Sequence, residues 1–267
     1  MLYLLQLEWK KWRKNLTFRL ISLAYFIILP SVLLLGKKLP DLPPPIGTNE
    51  IFFIFPSIWI YLSYIGHQLA FFLFGFLTIL MITTEYSNRT FRQNIIDGLS
   101  RREYFWGNVA MIGSIAFFAT IYLILCGLVI GYFNTDLIRF QKVFQHADYF
   151  YRFFLLCFAY MTFAMLVAIL IKRTIIVLFF YFGAVIGELI LRWGVHQNLW
   201  NHKSMHFYPL NAIEDLIPVP FSEVADRFLE QNQFDFFLSP TEAILTTVVY
   251  TTLFLLLIYR YLQKASL

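Results

Sequence analysis

The feature that most constrains this chain is a set of long stretches without a charged residue: Leu20–Gly36, Ile51–Thr84, Val109–Phe133, Phe153–Ile171, Thr174–Gly187 and Ala243–Tyr259. About 20 apolar residues in a helix cross a bilayer core of roughly 30 Å. Five of the stretches approach or exceed that length, and Thr174–Gly187 reaches 18 residues when continued through Glu188 to Leu191. Ile51–Thr84 is too long for one untilted crossing, so part of it must lie in the interface or bend near Pro56. A β-barrel would alternate apolar and polar residues, and these runs do not. Composition closes the soluble alternative, because only 14% of the 267 residues are charged where a soluble domain carries about a quarter. The expectation is an all-α integral membrane protein, one transmembrane domain over residues 1–267 with about six spans. The apolar run after Met1–Leu16 has full span length and no small-residue cleavage site follows it, so no cleaved leader is expected.

Charge then predicts orientation. With both termini on one side, the segments Met1–Arg19, Thr83–Gly107, Lys172–Arg173 and Arg260–Leu267 hold 13 Lys and Arg and 4 acids. The opposite loops, 37–50, 132–152 and 188–242, hold 8 and 12. Positive residues favour the cytoplasm, so both termini are expected inside, in the cell (inner) membrane. The net charge of +5 reads as orientation and contact with lipid headgroups. Its spread over four juxtamembrane segments argues against a nucleic-acid partner.

Several segments have local signatures. Residues 1–19 mix Leu2, Leu5, Leu7, Trp9 and Trp12 with Glu8, Lys10, Lys11, Arg13 and Lys14, which suits an interfacial helix or a positive anchor for the first span. Leu39–Pro45, with four prolines, reads as a stiff outer turn. Lys172-Arg173-Thr174 is a tight inner hairpin. Residues 192–239 form the longest polar segment. Within it Phe221, Val224, Ala225, Phe228 and Leu229 mark a helical stripe, with Ser222 as its cap. Ser239-Pro240-Thr241-Glu242 is a capping box that starts span six.

Catalytic signatures are missing from the sequence: no P-loop, no Gly-x-Ser-x-Gly elbow, no His-Glu-x-x-His pair. This chain is therefore not expected to be an enzyme. His196, His202 and His206 are spaced six and four apart, which is not a ligand pattern, and no metal is expected there. Cys126 and Cys157 fall within spans and read as packing residues. Polar residues inside spans are costly, so His67 and Gln68 in span two, and Glu188 in span five, are candidates for a translocation path. Glu188 and Arg192 stand four apart and suggest an ion pair.

The strongest functional signal is the inner loop over residues 83–107. Glu85 closes a span, a short amphipathic helix follows, a break comes at Gly98, and Ser100-Arg101-Arg102 leads into span three. This order resembles the first inner loop of ABC-2 type transporter permeases, through Glu85, Thr90, Arg92, Ile95-Ile96 and Ser100-Arg101. Three positions depart from the family pattern: Arg89 stands where the family has glycine, Gly98-Leu99 replaces the turn proline, and Asn108 replaces a lysine that often opens span three. The resemblance implies a permease subunit of an ABC exporter, working as a homodimer or with a homologue. ATP and Mg would be bound by a separate nucleotide-binding subunit and no cofactor by this chain. Glu85, Arg89, Thr90, Arg92, Ser100, Arg101 and Arg102 would form the coupling surface. The basic N-terminal segment and the outer segment between spans five and six are similar to that family as well. The alternative is a six-span secondary transporter or a substrate-binding or scaffold subunit using His67, Gln68 or Glu188. A membrane enzyme is weaker, for want of a clustered acid, base or metal set.

Overall fold

The computed structural model describes residues 2–38, 52–136, 139–196, 202–220 and 237–264. Among them there is no strand, and six helices are long and apolar enough to cross a membrane. The chain is an all-α multi-pass membrane protein. The proline turn at 39–45 and the stripe at 221–229 with its Ser222 cap lie outside the described residues.

The elements in order are α1 (Leu2–Trp12), α2 (Leu16–Gly36), α3 (Ile58–Leu69), α4 (Gly75–Ser87), α5 (Thr90–Ile96), α6 (Arg101–Asn134), α7 (Phe140–Val143), α8 (Asp148–Ile171), α9 (Thr174–Ile190), α10 (Pro209–Glu214) and α11 (Pro240–Lys264). A π-helical turn, Ala70–Phe74, joins α3 to α4 as one 30-residue span, and a second, Leu191–His196, extends α9. Within lipid every backbone N–H and C=O must be satisfied internally. The exception inside α2 demonstrates the rule. Pro30 has no N–H to bond the carbonyl of Phe26, and Tyr122 Oη from α6 donates to that carbonyl at 2.6 Å instead.

Helix α8 is the centre of the bundle. Phe153, Leu156, Cys157, Tyr160, Met161, Ala164 and Met165 on it are almost wholly buried, and α3, α4, α6, α9 and α11 pack around it. Two glycines set the closest approaches. A Cβ on Gly75 would overlap the Tyr181 ring, and one on Gly127 would overlap the Trp59 ring. Helices α2, α9 and α11 lie at the periphery and turn Leu, Ile and Phe outward, as lipid-facing surfaces do.

The two ends of the bundle differ. At the end called basal here, α1, α5 and the close of α11 gather. Helix α6 has 34 residues, about 51 Å at the helical rise, so it runs well beyond a hydrocarbon core. At the distal end, α10 enters the bundle: Leu210, Ala212, Ile213, Leu216 and Ile217 are at most 3% exposed. Before α3 the chain turns through residues 52–57, where Phe52, Phe53 and Phe55 are buried.

Candidate functional site

The α4–α6 connection is built by local rules. Helix α4 ends where Arg89 takes a left-handed backbone, φ +57°, a conformation glycine adopts freely and other residues adopt at a cost. Arg89 is the position where the resembled family carries glycine. Helix α5 closes at Gly98, φ +101°. The Leu99 N–H returns to Asn94 O at 2.9 Å and the Gly98 N–H to Ile95 O at 3.2 Å, a Schellman motif. Ser100 then caps α6. Its hydroxyl accepts the Glu103 N–H at 3.2 Å, and Glu103 accepts the Ser100 N–H at 2.9 Å. This reciprocal box was readable as Ser-x-x-Glu at 100–103, a signal the motif reading of Ser100-Arg101 passed over.

One ring fixes this knob to the bundle. Phe91, 7% exposed, packs between Tyr86 and Tyr104 with centroids 5.2 and 4.7 Å away. Ile95 packs partly buried against the core beside it, while Arg92, Gln93 and Ile96 are exposed, with Arg89 before the helix and Arg102 after it. Thr90, the first residue of α5, is half-buried. Lys172, in the turn between α8 and α9, lies over the Tyr86 and Tyr261 rings at 5.3 and 5.6 Å.

The seven loop residues named from the sequence therefore divide. Arg89, Arg92 and Arg102 present charge outward. Ser100 is a helix cap. Arg101 donates from Nη1 to Leu262 O at 3.1 Å and Gln263 O at 2.8 Å, so it satisfies the last carbonyls of α11 and complements that helix end. Glu85 is 2% exposed and ion-paired with Lys11 of α1, which also holds Glu8 at 2.9 Å. Burial alone lowers the Lys11 pKa, but the Glu85 and Glu8 carboxylates reverse this, and it lies above the ordinary lysine value. Tyr104 stands beside Glu85. This triad is what the sequence hid: α1 reads as an amphipathic anchor, yet Glu8 and Trp12 form its buried face while Leu2, Tyr3 and Trp9 turn outward.

A second polar cluster lies deeper, toward the distal end. His67, 5% exposed, is bonded through Nε2 to Tyr160 Oη at 2.9 Å. Gln68, its neighbour in sequence and about 100° further round α3, is exposed. Glu188 forms no ion pair with Arg192. Its two oxygens instead accept the N–H groups of Leu210 at 3.0 Å and Asn211 at 2.7 Å, capping α10 from another helix. Arg192 is directed to His206 Nδ1 at 3.3 Å. His196 is bonded to Ser204 Oγ at 2.7 Å, and the side chain of His202 lies outside the described residues. Asp215 accepts the Leu238 N–H at 3.0 Å and Asn211 Nδ2 at 2.9 Å, tying the end of α10 to the start of α11. Burial pushes the Asp215 carboxyl up to about 7, against the opposing pull of the Leu238 N–H, Arg192 and Asn211. Burial and the Glu188 charge also raise Glu214, with Arg192 opposing. Tyr160 lies within electrostatic reach of Glu188 and Glu214. The structure thus brings His67 and Glu188 to one neighbourhood through α8 and α10, and leaves Gln68 out of it. Asn211 and Asp215 had no motif to announce them. No protein-family model matches this chain, and no curated protein is significantly similar to it.

Proposed function

We propose that this chain is the permease subunit of an ATP-driven exporter, moving substrate across a membrane while a separate subunit hydrolyses ATP. The observation that carries the reading is the α5 knob. A seven-residue helix stands at the end of two spans, is anchored by Phe91, and turns Arg92 and Ile96 outward, with Arg89 exposed before it and Arg102 after it. A partner that closes on ATP needs such a rigid lever, and its basic face suits an acidic or polar groove. In this reading the basal end and both termini lie on the cytoplasmic side of the cell membrane, as the distribution of Lys and Arg favours. A second copy or a homologue completes the path. Helix α9, whose Gly183 and Gly187 face open space, offers the closest helix approach to it. ATP and Mg belong to the partner, and this chain hydrolyses nothing.

The test is co-purification in mild detergent with ATP hydrolysis as the readout, for the wild type and for Arg89→Glu with Arg92→Glu. An ATPase subunit that accompanies the wild type and is released by the charge reversal supports the reading. A chain that emerges without an ATPase overturns it. The competing reading is a gradient-driven transporter, favoured by the buried His67–Tyr160 pair beside Glu188 and Glu214. It requires transport that follows an ion gradient without ATP and is lost in His67→Ala.

A further inference from the structure

An apolar groove of about 360 Å³ opens at the distal end, lined by Phe55, Leu128, Val129, Tyr132, Phe133 and Val143. That volume lies at the small end of the range for ligand sites. Its floor is stiff. Phe55 and Val143 are buried; the Phe55 N–H donates to Thr135 Oγ1 at 3.2 Å, and Trp59 Nε1 donates to Val143 O at 2.6 Å. Its walls, Val129, Tyr132 and Phe133, are exposed at 56, 64 and 79%. The rim is basic. Lys37 bonds Asn134 Oδ1 next to Phe133, and among the described residues Arg139 and Lys142 are exposed on the segment that supplies Val143, with Asp136 exposed before it and Asp148, paired with Arg152, after it. Phe140, 80% exposed and paired with Phe144, extends the aromatic surface beside them. An apolar trough at the end of a membrane span, beneath three cations, matches one chemistry: a hydrocarbon chain carrying an anionic headgroup.

We infer that this groove binds an acyl chain of an anionic phospholipid from the surrounding leaflet, with Lys37, Arg139 and Lys142 holding the headgroup. The site is independent of any ATPase partner. The test reconstitutes the chain with equal amounts of phosphatidylglycerol and phosphatidylcholine, extracts it in detergent and counts retained lipid by native mass spectrometry. Wild type retains phosphatidylglycerol preferentially. Val129→Trp fills the groove and lowers retention by about tenfold, since the packing contacts between the acyl chain and the groove are lost. Val129→Phe serves if the tryptophan variant melts lower than wild type. Val249→Trp, on the exposed face of α11, leaves retention unchanged. Arg139→Glu with Lys142→Glu reduces the preference for phosphatidylglycerol by about twentyfold or more. Any of four results overturns the proposal: no lipid on the wild type, equal retention of both lipids, equal loss in Val129→Trp and Val249→Trp, or a preference that survives the charge reversal.

Discussion

At the basal end Lys11 lies between two carboxylates, Glu8 and Glu85, and one ammonium serves both. Removing it leaves a buried Glu85 without its counter-charge, which is the expensive way to break an ion pair. Lys11→Met should therefore destabilise the protein by about 3 kcal/mol, measured by thermal unfolding in detergent. Lys11→Arg, which keeps the charge, should recover most of the loss. Arg89 makes the opposite case. Its φ of +57° strains any residue with a Cβ, so Arg89→Gly should stabilise by up to about 1 kcal/mol while removing one outward charge. Such a variant that melts earlier would show that Arg89 makes a fold contact that its exposure conceals. Glu85 was legible as a polar residue closing a span. Its partner was not, because Lys11 lies 74 positions away among other basic residues that read alike.

Among the elements, α5 and α10 are too short to persist alone, since isolated helices of fewer than about 12 residues are marginal in water. Each is held by its ends. Helix α5 and the start of α6 use local caps, and Ser100→Ala should cost about 1 kcal/mol of stability. Helix α10 uses distant contacts: Glu188 caps its start, and Asp215 just past its end accepts the Leu238 N–H and so ties it to the start of α11. Asp215 also gives a pH dependence. Its carboxyl moves from the ordinary 3.8 up to about 7, through burial first. The folded state thus prefers the protonated form, and the stabilisation is complete below about pH 4 and is lost as pH rises through 7. Melting temperature should fall across that window, and Asp215→Asn, which still accepts the Leu238 N–H, should flatten the fall. An unchanged slope in the variant would assign the dependence to other groups. The local caps at 100–103 and 239–242 were both present as Ser-x-x-Glu patterns. Glu188 suggested an i,i+4 pair with Arg192, and tertiary packing overrode it by bringing two unsatisfied N–H groups to the carboxylate.

For the whole molecule, packing inside the bundle and contact with lipid divide the glycines. Gly75→Leu would drive a side chain into the Tyr181 ring at the core and should prevent stable folding. Gly183→Leu meets nothing within 4 Å and should leave monomer melting unchanged. If two copies associate through α9, the same variant lowers the dimer fraction in crosslinking. No helix-length argument separates these glycines, because both lie in apolar spans and only the neighbours differ.

The sequence by itself determined that the chain is helical, that six of its described helices are long and apolar enough to cross a membrane, and where two of its helices are capped. These follow from apolar length and from signals within a few residues, which bilayer thickness and backbone hydrogen bonding turn directly into structure. Tertiary structure alone decided that Glu85 is buried against Lys11, that Arg101 closes α11, that Glu188 caps α10, and that of the neighbours His67 and Gln68 it is His67 that faces the core. Each depends on which helices become neighbours, and in apolar spans that choice comes from side-chain shape and a few long-range polar bonds that leave no local pattern.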